Sequence, residues 1–142
     1  MEFEFKLDSF EESEEVYLKS ENFPMKKESF EIIGICMVVH RILGKGLLEI
    51  VYKDVIEHEL RLKNISYERE KQFKVEYKGI ILPHCFYADF VINNIIVEIK
   101  AQNGVEDEHY GQVINYLAVS KLSVGLLVNF GENFLKFKRF VF

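Results

Sequence analysis

The sequence is poor in the residue types that build several common classes of functional site. It has two cysteines, Cys36 and Cys85, and their separation matches no metal-ligand spacing. This argues against a cysteine-ligated metal and against catalytic cysteine chemistry, and we expect two buried, reduced thiols. No apolar run approaches the roughly 18 residues that a membrane span requires. The N-terminal residues also lack the basic-then-apolar order of a signal peptide. We therefore expect a cytoplasmic protein with no membrane association.

The sequence also lacks a strong charge of either sign outside its first residues. Residues 1–27 carry eight acidic and four basic side chains, so they account for −4 of the net charge of −5. We expect this segment to be an acidic extension, disordered or loosely docked, ahead of one compact domain over residues 28–142. The nearly neutral domain neither requires nor excludes a nucleic-acid partner, because a local basic face would be sufficient for binding.

The spacing of apolar residues predicts an α+β fold. Apolar residues recur at helical spacing in three segments, residues 29–43, 47–63 and about 105–120. Alternation and turn residues predict strands at 73–77, on both sides of Asn93-Asn94, and at 123–130 and 134–141. The predicted order is helix, three strands, helix and two strands, with helices covering a central mixed sheet. The chain contains no internal repeat or low-complexity segment.

The central hairpin, residues 86–101, places charged residues among apolar ones. If Asn93-Asn94 is a two-residue turn, Ile92 faces Ile95, and counting back along both strands puts Asp89 opposite Glu98. Alternation then puts Lys100 on the same face, with the other face formed by Phe86, Ala88, Phe90, Ile95, Val97 and Ile99. Two carboxylates directly opposed at about 4.5–5.5 Å destabilise a sheet. Folding alone therefore gives no reason for this pair.

Two explanations of the pair are open at this point. In the first, Lys100 neutralises Glu98 and the charged face is simply solvated, as most charged strand faces are. In the second, a divalent cation bridges Asp89 and Glu98, because Mg²⁺ prefers carboxylate oxygens. Lys100 would then lie beside the metal, where it could orient or polarise a water molecule.

Two further features bear on this choice. Glu49 is in phase with the apolar residues Tyr52 and Ile56, so we expect it on or beside the helix face that packs on the sheet. A carboxylate there needs a partner, which is either a basic side chain or a shared polar site. Gln112 and Tyr116 are four residues apart and lie on one stripe of the third helix. A tyrosine at an interface with a surface glutamine is the ordinary explanation of that spacing.

In combination these residues resemble the PD-(D/E)XK nuclease superfamily. Asp89, followed after eight residues by Glu98-Ile99-Lys100, matches the D-x₈-E-x-K signature. An upstream helical glutamate and a downstream QxxxY resemble the RecB-like branch. The segment 31–142 is similar to the small GxxExxY family, whose name-giving residues are here Gly46, Glu49 and Tyr52. Ala88 stands where the superfamily name has proline.

The resemblance implies a restriction-endonuclease-like core and a role for each matching residue. Asp89 and Glu98 match the metal-binding carboxylates, and the carbonyl of Ile99 is a usual additional ligand. Lys100 matches the catalytic lysine, and Glu49 matches the acid that completes or extends the metal site. The pair that lines the site and positions a nucleic-acid strand or water is Gln112 and Tyr116.

The function implied is a metal-dependent nuclease that uses Mg²⁺ or Mn²⁺ to hydrolyse phosphodiester bonds of DNA or RNA. Arg41 and Lys45 near the glycine break are candidate phosphate contacts, but no strong basic cluster is visible. Nothing in the sequence indicates specific reading of bases, so we expect a nucleic-acid partner, DNA before RNA, bound without sequence specificity. The alternative is a catalytically silent module that keeps the nuclease fold and binds nucleic acid or a protein partner. The sequence leaves the oligomeric state open, with a homodimer as one option.

Overall fold

The computed structural model describes residues 2–6, 24–104 and 107–142. Within these residues there are three helices, α1 (Lys26–Leu43), α2 (Glu49–Leu62) and α3 (Asp107–Ser120). Six strands accompany them: β1 (Glu2–Lys6), β2 (Tyr67–Tyr77), β3 (Ile80–Ile92), β4 (Ile95–Lys100), β5 (Val124–Asn129) and β6 (Lys136–Val141). Most of the predicted acidic extension, and residues 105–106 of the predicted third helix, lie outside the described residues.

The strands form one mixed sheet in the order β1-β6-β5-β4-β3-β2. Strands β4 and β5 are parallel, and the other neighbours in the sheet are antiparallel. A parallel pair needs a crossover connection, and α3 supplies it between β4 and β5. The parallel pair therefore lies in the middle of the sheet, with hairpins on both sides.

Two apolar clusters hold helices against the two faces of the sheet. The larger cluster joins α1 and α2 to one face through residues that include Ile32, Cys36, Tyr52, Ile56, Val97 and Phe130. The smaller cluster joins α3 to the other face and consists of Ala88, Ile96, Val113, Leu117, Leu127 and Phe140. A sheet with helices packed on both sides confirms the predicted α+β fold. Each fully buried aliphatic side chain contributes about 1.5–3 kcal/mol to folding.

The connection between α1 and α2 is fixed by Tyr52. Its hydroxyl donates a hydrogen bond of 2.6 Å to the Gly44 carbonyl and accepts one of 3.3 Å from the Leu47 amide. Gly44 and Gly46 have φ values of 68° and 102°, which glycine adopts at little cost. The tyrosine ring also stacks on Phe130, with centroids 4.5 Å apart. The G-x-x-E-x-x-Y segment thus sets where α2 begins and which side chains its first turn presents.

The predicted hairpin is confirmed in its turn and in its first pairs. Asn93 and Asn94 have φ values of 48° and 64°, as a two-residue turn of this type requires. Ile92 pairs with Ile95, and Phe90 pairs with Val97.

The two cysteines differ in their exposure, contrary to the expectation that both are buried. Cys36 is buried as expected, and burial raises the pKa of its thiol to about 12, but Cys85 is exposed on β3. None of the helices in the described residues is long and apolar enough to cross a membrane. The division into residues 1–27 and 28–142 stays a prediction, although β1 pairs with β6 and α1 already begins at Lys26.

Candidate functional site

The candidate site lies where β3 and β4 separate. Their regular pairing ends at Phe90 and Val97, one residue before the two acids. Beyond this point the backbone amide of Asp89 donates to Oε1 of Glu98 at 3.0 Å, and the amide of Ile99 donates to Oδ2 of Asp89 at 2.8 Å. Side-chain oxygens therefore take the place of the backbone ladder. The two carboxylates are brought together as the register predicts, and both are buried.

The predicted alternation along β3 is wrong at Asp89. Phe90 packs in the cluster under α1 and α2, whereas Ala88 packs in the cluster under α3. Phe86 is also on the α3 side, where its ring lies 4.1 Å from that of Tyr116. The physical reason lies in a local irregularity of the β2–β3 pair, because Glu70 has a φ of 52° in the middle of its strand. The side chain of Asp89 consequently reaches toward α2 rather than projecting from a flat sheet face.

Burial controls the protonation of Glu98, which is only 3% exposed. Burial, followed by the negative charge of Asp89, raises the pKa of Glu98 to about 9. The positive charge of Lys100 lowers this pKa by less than burial and Asp89 raise it. In the metal-free protein, Glu98 is therefore neutral at pH 7. Protonation of Glu98 removes the charge repulsion between the two carboxyl groups in the metal-free protein.

Lys53 on α2 is the direct partner of Asp89. Its Nζ lies 2.7 Å from Oδ1 of Asp89, 3.5 Å from Oε1 of Glu70 and 3.7 Å from Oε2 of Glu49. Burial lowers the pKa of Lys53, but the hydrogen bond to Asp89 and the three carboxylate charges raise it above its ordinary value overall. Glu49 begins α2 with a side chain 40% exposed. It is joined to Asp89 through Lys53.

The predicted pair on α3 also lies at the site. Nε2 of Gln112 donates to the Tyr116 hydroxyl at 2.6 Å. Burial, followed by the charge of Glu98, raises the pKa of Tyr116, which shows that the phenol lies within electrostatic reach of that carboxyl. The ring of Tyr116 is held flat against Phe86. The hydroxyl is thus fixed from two sides, by an aromatic stack and by an amide.

Lys100 ends β4 beside a row of polar side chains. In register across the sheet, Lys100 lies next to Asn129 and Asn129 lies next to Lys136. A cavity of about 190 Å³ opens beyond Asn129 and is lined by Tyr110, Glu132, Lys136 and Lys138, among others. Nζ of Lys136 lies 2.9 Å from Oε1 of Glu132, and the ammonium of Lys138 lies 3.9 Å from the ring centroid of Tyr110. Four residues, Lys100, Asn129, Lys136 and Lys138, therefore form a polar strip on the α3 side of the sheet.

The donor set fits a hard cation held by two carboxylates. Mg²⁺ usually binds through one or two carboxylates and keeps several waters, so Asp89 and Glu98 are sufficient. Within residues 24–104 and 107–142, no three His, Cys, Asp or Glu side chains converge as a ready-made metal cage. A cation bound to Oδ1 of Asp89 would have to displace the ammonium group of Lys53 from that oxygen.

The fold and the site together define a class of protein. Its members have a mixed sheet with helices on both faces, and two acidic residues and a lysine, here Asp89, Glu98 and Lys100, lie where two central strands separate. The chain belongs to the PD-(D/E)XK nuclease superfamily, whose family model matches residues 26–140. The solved crystal structure of SSO0001 has a TM-score of 0.55 and 19% sequence identity over 82% of this chain, and the match spans 60% of that chain. This likeness supports the restriction-endonuclease-like fold. A search of curated proteins gave no match.

Sequence reasoning missed Lys53 and Glu70. Lys53 could have been found from its position four residues after Glu49, which is the spacing of a helical ion pair. Its contact with Asp89 joins residues 36 positions apart, and no local pattern encodes it. Glu70 lies in the polar run 68–72, ahead of the strand predicted at 73–77, so nothing in the sequence indicated its unusual backbone.

Proposed function

We propose that this protein is a metal-dependent nuclease of the GxxExxY type, within the RecB-like branch, that hydrolyses phosphodiester bonds of DNA or RNA. The observation that carries the proposal is the burial of two carboxyl groups side by side, Asp89 with Lys53 as its partner and Glu98 with a raised pKa. A structural role would not require this pair, because a buried carboxyl group that must stay protonated costs stability as the pH rises. A divalent cation is the partner that the superfamily membership suggests.

The matching residues divide the chemistry among them. Asp89 and Glu98 would hold the cation, with the carbonyl of Ile99 and the carboxylate of Glu49 as further candidate ligands. A divalent cation held there supplies Lewis acidity and lowers the pKa of a water molecule. Lys100 provides a fixed positive charge for the phosphoryl oxygens as negative charge develops on them. The bonded pair of Gln112 and Tyr116 positions the strand or the water from the α3 side.

Binding of the nucleic acid would follow the polar strip that begins at Lys100. Lys136 and Lys138 lie two residues apart on β6, on the same side of the sheet, and Lys136 is in register with Asn129, which is the neighbour of Lys100. Lysine contacts with phosphates provide affinity that depends on salt and carry no base sequence. The strip therefore favours a partner bound through its backbone, without sequence specificity.

One observation favours a second candidate function. Lys53 already compensates Asp89 at 2.7 Å, so the metal-free arrangement is electrostatically complete without a divalent ion. A catalytically silent module that binds nucleic acid or a protein through the nuclease fold would keep this ion pair permanently. The two candidates differ in one measurable property, which is cleavage in the presence of metal.

The test is incubation of single- and double-stranded DNA and RNA with the protein and Mn²⁺ or Mg²⁺. We expect cleavage that EDTA abolishes and that Lys100→Ala lowers by about 10²–10³-fold, as the loss of one group stabilising the transition state does. The matched control is Lys63→Ala, an exposed lysine at the end of α2, which should cleave as the wild type does. Cleavage of equal rate in Lys100→Ala would assign the activity to a contaminant, and no cleavage of any form would favour the silent module.

A further inference from the structure

Lys53 is a buried ammonium group held among three carboxylates. Its side chain is 11% exposed and that of Asp89, its closest partner, is 12% exposed. An ion pair this well buried is costly to break if either charge is left without a partner. Lys53 can therefore leave Asp89 only if another carboxylate, Glu49 or Glu70, accepts its ammonium group.

Glu49 and Glu70 form a second set of acceptors at the margin of the site. They lie 3.7 and 3.5 Å from the same Nζ, and their side chains are 40% and 52% exposed. Both can therefore adjust toward Lys53 without losing their own hydration. Glu70 also has a left-handed φ of 52°, which few residues other than glycine adopt and which tends to persist at functional sites.

We propose that Lys53 is an internal counter-ion that occupies Asp89 in the metal-free protein and transfers to Glu70, the nearer of its two other partners, when a divalent cation binds, so that Glu49 stays available as a ligand. This inference rests on the proposed metal-dependent function. A divalent cation and an ammonium group cannot both lie within contact distance of Oδ1, because their like charges repel. Binding is therefore an exchange of partners, in which Asp89 gains the metal and Lys53 keeps a carboxylate.

The exchange makes Glu70 important for metal binding although it is not a ligand. Without Glu70, a displaced Lys53 would have only Glu49, the more distant of its two other partners. Removing Lys53 itself should have the opposite effect, because the metal then has no competitor. If Glu70 raises the affinity for the cation only through its own charge, its effect should persist in the absence of Lys53. If Glu70 acts by accepting Lys53, its effect on the affinity should disappear.

The experiment is calorimetric titration of the full chain with Mn²⁺ alone at one fixed pH. Lys53→Met should lower the Kd for Mn²⁺ by about tenfold, and Glu70→Gln should raise it by about threefold. In the double variant, Glu70→Gln should add nothing to Lys53→Met, which a double-mutant cycle measures directly. The matched control is Lys71→Met, which removes an ammonium group 2.7 Å from Glu68 on the same strand as Glu70 and should leave the Kd unchanged.

A second variant protects the test against loss of folding. Lys53→Gln keeps a hydrogen-bond donor for Asp89 without the charge, and it should also bind Mn²⁺ more tightly than the wild type. Melting in EDTA identifies which variants are folded. Wild-type binding that neither Lys53 variant strengthens would overturn the inference and leave the proposed nuclease function standing. Absence of Mn²⁺ binding in the folded wild type and in both variants would overturn the metal-dependent function as well.

Discussion

Glu98 is the residue whose chemistry the fold changes most among those predicted from the sequence. Its carboxyl is buried beside a second acid, and its pKa is about 9 instead of 4.5. The sequence pattern predicts the partner, because counting back from the Asn93-Asn94 turn brings Asp89 to it. The pattern does not predict the amide contacts of the two carboxylates, which form only where the strands separate.

The shifted pKa of Glu98 makes stability depend on pH. Between pH 4.5 and about 9 the folded protein holds a proton on Glu98 that the unfolded chain has lost. The free energy of unfolding therefore falls as pH rises through this window, and the contribution is lost as pH passes about 9. Glu98→Gln imitates the protonated form and cannot ionise. In EDTA at pH 8 it should be more stable than the wild type by on the order of 1–3 kcal/mol.

Urea denaturation of both proteins at several pH values measures this difference. The gap between Glu98→Gln and the wild type should shrink as pH falls to 4.5 and below, where the wild-type carboxyl becomes protonated in both the folded and the unfolded state. Glu68→Gln, which changes an exposed carboxylate on β2, should show no such trend. A gap that is constant with pH would mean that Glu98 does not hold a proton in the folded protein.

At the scale of elements, α3 is held close to the sheet by a glycine in β5. A Cβ added at Gly125 would lie 2.7 Å from Cγ1 of Val113 and 3.3 Å from Cδ1 of Leu117, and both of those side chains belong to the buried core under α3. A methyl group there would force Val113 and Leu117 to shift in the space between α3 and the sheet. Because α3 carries Gln112 and Tyr116, the spacing of this one contact also sets their distance from Glu98.

Two glycine substitutions should therefore act in opposite directions. Gly125→Ala should lower the free energy of unfolding by about 1–3 kcal/mol through overpacking. Gly111→Ala on α3 itself meets nothing within 4 Å. It should raise the free energy of unfolding by about 0.5–1 kcal/mol, because alanine is the better helix former. Chemical denaturation measures both values, and a stabilised Gly125→Ala would show that α3 packs less closely than the structure has it.

The predictable part of the fold is the part encoded over short distances. Asn93-Asn94 fixes a two-residue turn from the conformational preference of asparagine, and the pairs next to it follow by counting. The failure of alternation between Ala88 and Phe90 coincides with the left-handed φ of Glu70 on the neighbouring strand, which the sequence of β3 alone does not reveal. Lys53 was missed for the same reason, since its partner is chosen by the docking of α2 on the sheet.

At the scale of the whole molecule, charge is divided between the first residues and the domain. Residues 1–27 hold most of the net negative charge, and the polar strip from Lys100 through Lys136 holds part of the positive charge. The charge of the acidic segment contributes to the net charge that an approaching nucleic acid meets. At low salt the field of this charge extends over a Debye length of about 30 Å at 0.01 M, and it falls to about 8 Å at 0.15 M.

Neutralising the acidic segment should therefore strengthen nucleic-acid binding in a salt-dependent way. Replacing Glu11, Glu12, Glu14 and Glu15 by glutamine changes the net charge from −5 to −1 and leaves the described residues intact. Binding of a fluorescent single-stranded oligonucleotide in EDTA should tighten by about tenfold at low salt, and the gain should vanish near physiological salt. The control replaces four glutamates on described helices and strands by glutamine and makes the same change in net charge. They are Glu59, Glu68, Glu76 and Glu108. An equal gain in both variants would assign the effect to net charge, whereas a gain confined to the first would show that the acidic segment itself competes for the strip.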